Sequence, residues 1–154
     1  MTYEIAKWLH VLSSTVLFGT GLGSAYYMFF ASRSGDAATI AHVVGRVVVA
    51  DWLFTATTIV FQPLSGLYLA HLAQFPLKSA WIFWSFVLYF VAGACWIPVV
   101  FLQIRMRRLA EAAARERAPL PREYRRLLAV WTALGVPAFV ALVVVFYLMV
   151  AKPM

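Results

Sequence analysis

Two adjacent stretches of opposite character indicate a membrane protein: the apolar residues 79–104, SAWIFWSFVLYFVAGACWIPVVFLQI, and the basic residues 105–126, RMRRLAEAAARERAPLPREYRR. The first contains no Asp, Glu, Lys or Arg and exceeds the roughly 20 apolar residues that a helix needs to cross a bilayer. The second contains eight Arg and three Glu. An apolar run followed by a basic one is typical of a membrane span and its cytoplasmic flank. We therefore expect the third helix to continue past the membrane until Pro119 and Pro121 break it.

Three further windows, 8–32, 52–77 and 127–151, also lack charged residues and are long enough to span a membrane. With the second helix beginning near Ile40, the sequence predicts spans at approximately 5–31, 40–70, 79–105 and 127–151. The predicted fold is all-α. It is a transmembrane four-helix bundle that forms one domain, residues 1–154, with helix three extended into the cytoplasm.

The composition excludes several classes of protein. Of 154 residues, 64% are hydrophobic and 12% are charged, whereas a soluble domain has about 25% charged residues. A soluble enzyme, a nucleic-acid-binding module and a disordered tail are therefore excluded, and the lipid bilayer is the expected partner. Dinucleotide-binding, P-loop, HExxH and CxxC motifs do not occur in the sequence. Any chemistry is expected to come from a bound cofactor or a partner protein.

The charge distribution predicts the orientation. The basic stretch 105–126 should face the cytoplasm, since cytoplasmic loops are rich in Lys and Arg. Four spans then place both termini in the periplasm, with the protein in a bacterial inner membrane.

Polar residues inside the predicted spans are candidate functional residues, because they are costly in lipid. His10 lies near the outer end of helix one, with Ser14 and Gly21 on the same face. Small residues beside a histidine leave room for a planar ligand such as haem. The alternative is a histidine hydrogen-bonded to a neighbouring helix.

Helix two carries a stripe of polar residues on one face, Asp51, Thr55, Thr58 and Gln62, which continues toward Ser65 and Gly66. This stripe should face the interior of the bundle. Asp51, Thr55 and Gln62 are candidates for a proton path, and the alternative is a set of hydrogen bonds that joins helices.

Two more candidates come from helix three and one from the outer loop. Ser85 and Trp96 share one face of helix three, and Trp96 either forms a wall of a cofactor site or packs in the core. His71 lies on the same predicted outer side as His10, so it is a candidate second ligand of a haem iron, and the alternative is an interfacial or loop role.

Four segments carry a family resemblance: KWLHVL at 7–12, DWLFT at 51–55, QPLSGL at 62–67 and WIPVVFLQIRMR at 96–107. They resemble a family of small bacterial integral membrane proteins whose function is not established. The resemblance extends over nearly the whole chain.

A second, more distant similarity is to HemJ-type protoporphyrinogen oxidases and their membrane relatives. It rests on the Lys-x-x-His opening of helix one, the Pro-x-Ser-Gly-Leu segment of helix two and the segments 136–137 and 150–153. The resemblance implies a four-helix bundle that binds b-type haem through the first-helix histidine, matching His10. It also implies a lysine near the start of helix three. Lys78 is the nearest lysine, whereas alignment on the tryptophan places Ser85 there.

The leading functional expectation is a b-type haem protein that passes electrons between haem and a quinone or porphyrin-like substrate, as a candidate membrane oxidoreductase. His10 is the expected axial ligand, with His71 or Lys78 as the second. One alternative is a non-catalytic accessory or assembly subunit, in a homo-oligomer or a larger membrane complex. Another is a small transporter component.

Overall fold

The computed structural model of the chain describes residues 1–153, and all regular structure in that range is helical. Four helices follow one another: α1 is Thr2–Ser34, α2 is Ala37–Leu72, α3 is Ala80–Glu116 and α4 is Arg122–Ala151. The expected all-α fold is confirmed. Residue 154, the last of the predicted domain, lies outside the described residues.

Three of the four helices, α2, α3 and α4, are long and apolar enough to cross a membrane. The first helix is equally long, at 33 residues, but its mean hydropathy is lower. The reason is visible in its sequence, since serine, threonine and glycine interrupt the apolar residues between positions 13 and 24. The structure thus supports three spans by length and composition.

The helix ends explain where the chain reverses. Gly35 has a φ of 76°, a left-handed conformation that glycine adopts without strain and that ends α1. Asp36 then caps α2, because its carboxylate accepts a hydrogen bond of 2.9 Å from the backbone N–H of Thr39. At the same end of the molecule, α3 ends at Glu116 with Arg117 in a left-handed conformation, before the expected prolines are reached.

The third helix is longer than a bilayer is thick. At 37 residues and about 1.5 Å per residue it extends for about 55 Å, against a hydrocarbon core of roughly 30 Å. Its last turns pack against the start of α4.

A cluster of fully buried side chains holds one end of the bundle together. Its largest members are less than 2% exposed and come from all four helices: Met28, Ile40, Val44, Met106 and Tyr124. These residues lie at the end of α1, the start of α2, the last part of α3 and the start of α4. The well-packed core is therefore at the basic end of the molecule, and the opposite end is left for a cavity.

The outer surface of the bundle carries many large apolar side chains. Examples that are more than half exposed are Trp8, Phe30, Phe90, Phe101 and Tyr147. Extended apolar surfaces of this kind are rare on proteins that face water, and a lipid environment accounts for them.

Candidate functional site

A cavity of about 420 Å³ lies between the four helices at the end opposite the buried core. It is lined by the first half of α1, the second half of α2, the start of α3 and the end of α4. Its walls are predominantly apolar, with a small number of polar side chains. This size and lining are typical of a site for a small organic molecule or a cofactor.

The first helix contributes one face to this cavity. Lys7, His10, Ser14 and Leu17 all line it, and their spacing of three or four residues places them on the same side of the helix. Ser14 is satisfied within α1, since its hydroxyl donates to the carbonyl of Val11 at 2.7 Å.

The geometry of His10 is fixed by a serine on α2. His10 Nδ1 lies 2.7 Å from Ser65 Oγ, and Ser65 Oγ also donates to the carbonyl oxygen of Phe61 at 2.7 Å. Because the serine hydroxyl has a single hydrogen, it accepts from the His10 N–H when it donates to Phe61. In that tautomer the proton is on Nδ1, and Nε2 carries the lone pair that a metal ion requires.

Gly66 allows the histidine ring to approach α2. A Cβ at this position would lie 3.3 Å from His10 Cε1, which is closer than the 3.5–4.0 Å of an optimal carbon contact. Glycine at position 66 therefore leaves room for the His10 ring to pack against α2, where the ring forms its hydrogen bond with Ser65.

Several residues predicted to form the site are found in the cavity wall. They are His10, Ser14, Gln62, Gly66 and Ser85. Gln62 is 9% exposed, and its Oε1 has no hydrogen-bond partner within the part of the chain that the structure describes. The hydroxyl of Ser85 donates to the Trp81 carbonyl at 2.6 Å. The side-chain oxygen of Gln62 can therefore still accept a hydrogen bond from a ligand.

Four other predicted site residues lie away from the cavity. A Cβ built on Gly21 has no neighbour within 4 Å. His71 lines a second depression near the turn after α2, which shares Ala70 and Phe75 with the cavity wall, and Lys78 is exposed. Trp96 is outside the cavity lining, and its buried Nε1 has no partner among residues 1–153.

Asp51 and Thr55 form a second polar cluster, where α2 makes a π-helical turn from Asp51 to Thr55. Thr55 Oγ1 donates to Asp51 Oδ1 at 2.9 Å, and the Gln103 side chain of α3 lies beside the same carboxylate. All three residues are at most 5% exposed. Such turns often occur at functional positions in helices.

The polar stripe of α2 connects this cluster with the cavity only in part. Thr58 donates to the backbone carbonyls of Phe54 and Thr55, so its hydroxyl is satisfied within the helix. Gln62, one turn further, reaches the cavity. The stripe faces the interior of the bundle, as the sequence predicted.

The cavity also contains residues that were not expected at the site. Lys7 and Lys152 line it, as do Tyr89 and Met149. Lys7 is detectable in the sequence, since it is three residues before His10 on the same helix face. The other three are brought there by the packing of α3 and α4, which no local pattern reveals.

No group of three or more His, Cys, Asp or Glu side chains among residues 1–153 is arranged to hold a metal ion. A metal at His10 would therefore need ligands from elsewhere.

The comparisons with known proteins agree with a membrane location. Residues 4–153 match the family described as "predicted integral membrane protein (DUF2269)". No curated protein and no solved structure is significantly similar to the chain. Since the match covers nearly the entire sequence, the protein belongs to this integral membrane family, whose function is unknown.

Proposed function

We propose that this member of the DUF2269 family is a b-type haem-binding redox protein of the bacterial inner membrane, with His10 as an axial ligand of the haem iron. One observation carries the proposal. The His10 ring lines an apolar cavity, and its Nδ1 lies 2.7 Å from Ser65 Oγ, so the ring is held at one nitrogen while Nε2 stays available for coordination. Ligating histidines in metalloproteins are held in this way, since a hydrogen bond at one ring nitrogen fixes the ring for coordination through the other.

The residues of the cavity fit a haem. A porphyrin supplies four nitrogen ligands by itself and takes only one or two axial ligands from the protein, so a lone histidine is sufficient. The walls are predominantly apolar, as the porphyrin face requires. When bound, a haem supplies one-electron chemistry, which we propose serves a quinone or porphyrin-like substrate. We also propose that the resemblance of the segments around His10 and Ser65 to HemJ-type proteins reflects the same function.

We propose that Asp51, Thr55 and Gln62 provide the proton path that such a substrate needs, because quinones and porphyrinogens exchange protons together with electrons. The support is their position. The carboxylate of Asp51 is 5% exposed and bonded to Thr55, and Gln62 lies on the same helix face where it borders the cavity. Water molecules would have to complete the path past Thr58.

We further propose that α1 is a fourth span and that the basic stretch 105–126 is cytoplasmic, with both termini periplasmic. α1 packs along α2, and its outward side carries large exposed apolar residues such as Trp8, Leu12 and Phe30. A helix with this surface is stable in lipid and costly in water. The cavity then lies toward the periplasmic side of the membrane.

The proposal is tested by the absorption spectrum of the protein purified in a neutral detergent after expression with added haem precursor. We expect a Soret band that His10→Ala abolishes. Ser65→Ala should weaken haem affinity by about 10- to 100-fold, as loss of a hydrogen bond to a metal-ligating histidine typically does. Ser14→Ala is the matched control, because this serine lines the same cavity but bonds only within α1. Absence of the band in the wild-type protein would refute haem binding, and a band that survives in His10→Ala would refute the ligand assignment.

The proton path has its own test, the midpoint potential of the haem as a function of pH. Coupled uptake of one proton and one electron changes this potential by about 59 mV per pH unit. We expect Asp51→Asn to flatten the dependence while the Soret band is retained, because asparagine can still accept the Thr55 hydrogen bond. An unchanged slope would exclude Asp51 from the path.

A further inference from the structure

The charged groups of the cavity are all cationic. Two lysines line it, Lys7 from α1 and Lys152 from the end of α4, and the residues in its wall include no Asp or Glu. Lys7 and Lys152 belong to opposite ends of the sequence, so only the tertiary structure brings both to one end of one cavity. An apolar space with two cations in its wall has an electrostatic complement, which is an amphipathic anion.

The position of Lys152 is defined by aromatic contacts. Its Nζ lies 4.8 Å from the centroid of the Phe75 ring and 5.8 Å from that of Trp81. The two rings pack edge to face, with centroids 5.5 Å apart, and both line the cavity. Cation–π contacts of this kind hold an ammonium group without neutralising its charge, so Lys152 keeps its capacity to bind an anion.

The nearby carboxylate is engaged elsewhere. Glu4 is the acidic residue closest to Lys7 along α1, and its Oε2 pairs with the N-terminal ammonium at 2.6 Å. Neither Lys7 nor Lys152 forms a salt bridge with any described residue. Among residues 1–153, no carboxylate therefore neutralises the two lysines of the cavity wall.

We infer that the cavity binds an amphipathic carboxylate, with its apolar body between the helices and its carboxylate group at Lys7 and Lys152. This inference rests on the proposed function, because it places the ligand in the same cavity. Two sources have this chemistry, the propionate groups of a porphyrin and a long-chain fatty acid from the membrane. The lysines recognise the feature that both share, and the apolar walls accept either body.

Two pairs of probe ligands distinguish recognition of the negative charge from burial of the apolar part of the molecule. The first pair is protoporphyrin IX and its dimethyl ester, and the second is cis-parinaric acid and its methyl ester. In each pair the ester keeps the apolar body and loses the negative charge. Binding is measured by fluorescence titration of the purified chain in a neutral detergent, without added haem.

We expect the acid of at least one pair to bind about tenfold more tightly than its ester, which corresponds to about 1.4 kcal/mol. The Lys7→Gln/Lys152→Gln double variant should lose this preference, and Lys7→Arg/Lys152→Arg should keep it. Lys78→Gln is the matched control, because Lys78 is exposed and outside the cavity. The pair that shows the preference identifies the source.

Three outcomes would overturn the inference: equal binding of acid and ester in both pairs, no binding of any probe, or a preference that the glutamine double variant retains. Each differs from the failure of haem binding, which is the missing Soret band. A chain that prefers the fatty acid and binds no haem would refute the proposed function and support the anion site. The Lys7→Arg/Lys152→Arg variant and the comparison of acid with ester in the wild-type protein remain informative even if the glutamine double variant does not fold.

Discussion

Replacing Gly66 by alanine adds one methyl group against the histidine ring of the cavity wall. The new Cβ would lie 3.3 Å from His10 Cε1, so the ring must shift by a few tenths of an ångström. The hydrogen bond from Nδ1 to Ser65 Oγ, 2.7 Å long, should weaken as the ring moves. This substitution therefore tests the placement of His10 without any assumption about a cofactor.

The expected magnitude combines two opposing effects. Alanine is favoured over glycine inside a helix by about 0.5–1 kcal/mol, whereas insertion of a methyl group into a packed contact costs about 1–3 kcal/mol. His10 borders a cavity and can move, so we take the lower value for the cost. Gly93→Ala in α3 is the control, because its Cβ would meet nothing within 4 Å. We expect Gly66→Ala to be less stable than Gly93→Ala by about 1 kcal/mol.

The measurement is the free energy of unfolding of both variants and the wild-type protein in mixed detergent micelles, followed by circular dichroism. Comparison of the two variants cancels most of the helix-propensity effect, including any helix that persists in the unfolded state. Equal stabilisation of Gly66→Ala and Gly93→Ala would refute the close approach of His10 to α2, and with it the orientation of the ring on which the proposed function depends.

Two further predictions concern the basic end of the bundle. Tyr124→Phe removes a hydroxyl group that forms a hydrogen bond of 2.7 Å with Ser32. Since Tyr124 is 1% exposed, we expect the free energy of unfolding to fall by about 1 kcal/mol in the same assay. An unchanged free energy would show that this bond does not join α1 to α4. Hydrogen bonds from the side chain and backbone of Thr39 hold the pKa of the Asp36 carboxyl below its usual range. Stability that depends on this carboxylate is present above about pH 4 and is lost as the pH falls through the lowered folded pKa. The wild-type protein should therefore lose more stability than Asp36→Asn on acidification below about pH 4, and parallel curves would contradict the prediction.

The helices themselves could be read from the sequence with good accuracy. Uncharged apolar windows, with the second helix beginning near Ile40, located all four. The end of α3 was predicted less well, because the chain leaves the helix at Arg117 through a left-handed conformation and not at the prolines. The π-helical turn at Asp51 has no sequence signature, since it results from how α2 accommodates its neighbours.

The site was predictable where its residues share one helix face. His10 and Ser14 repeat at helical spacing, and both line the cavity. Gly21 follows the same pattern but lies where α1 has no close neighbour. Helical periodicity gives the direction of a side chain, but it does not give the height at which another helix packs against it.

The helical class, the membrane environment and the polar stripe of α2 were predictable, because they follow from composition and from spacing along a single helix. Which residues contact one another was not predictable, because it depends on the packing of the helices. The tertiary structure placed Ser65 against His10 and brought Lys152 to the cavity that Lys7 enters from α1. His10 and Ser65 are 55 residues apart, and Lys7 and Lys152 lie near opposite ends of the chain, so their proximity depends on how the helices pack, a property that no local pattern encodes.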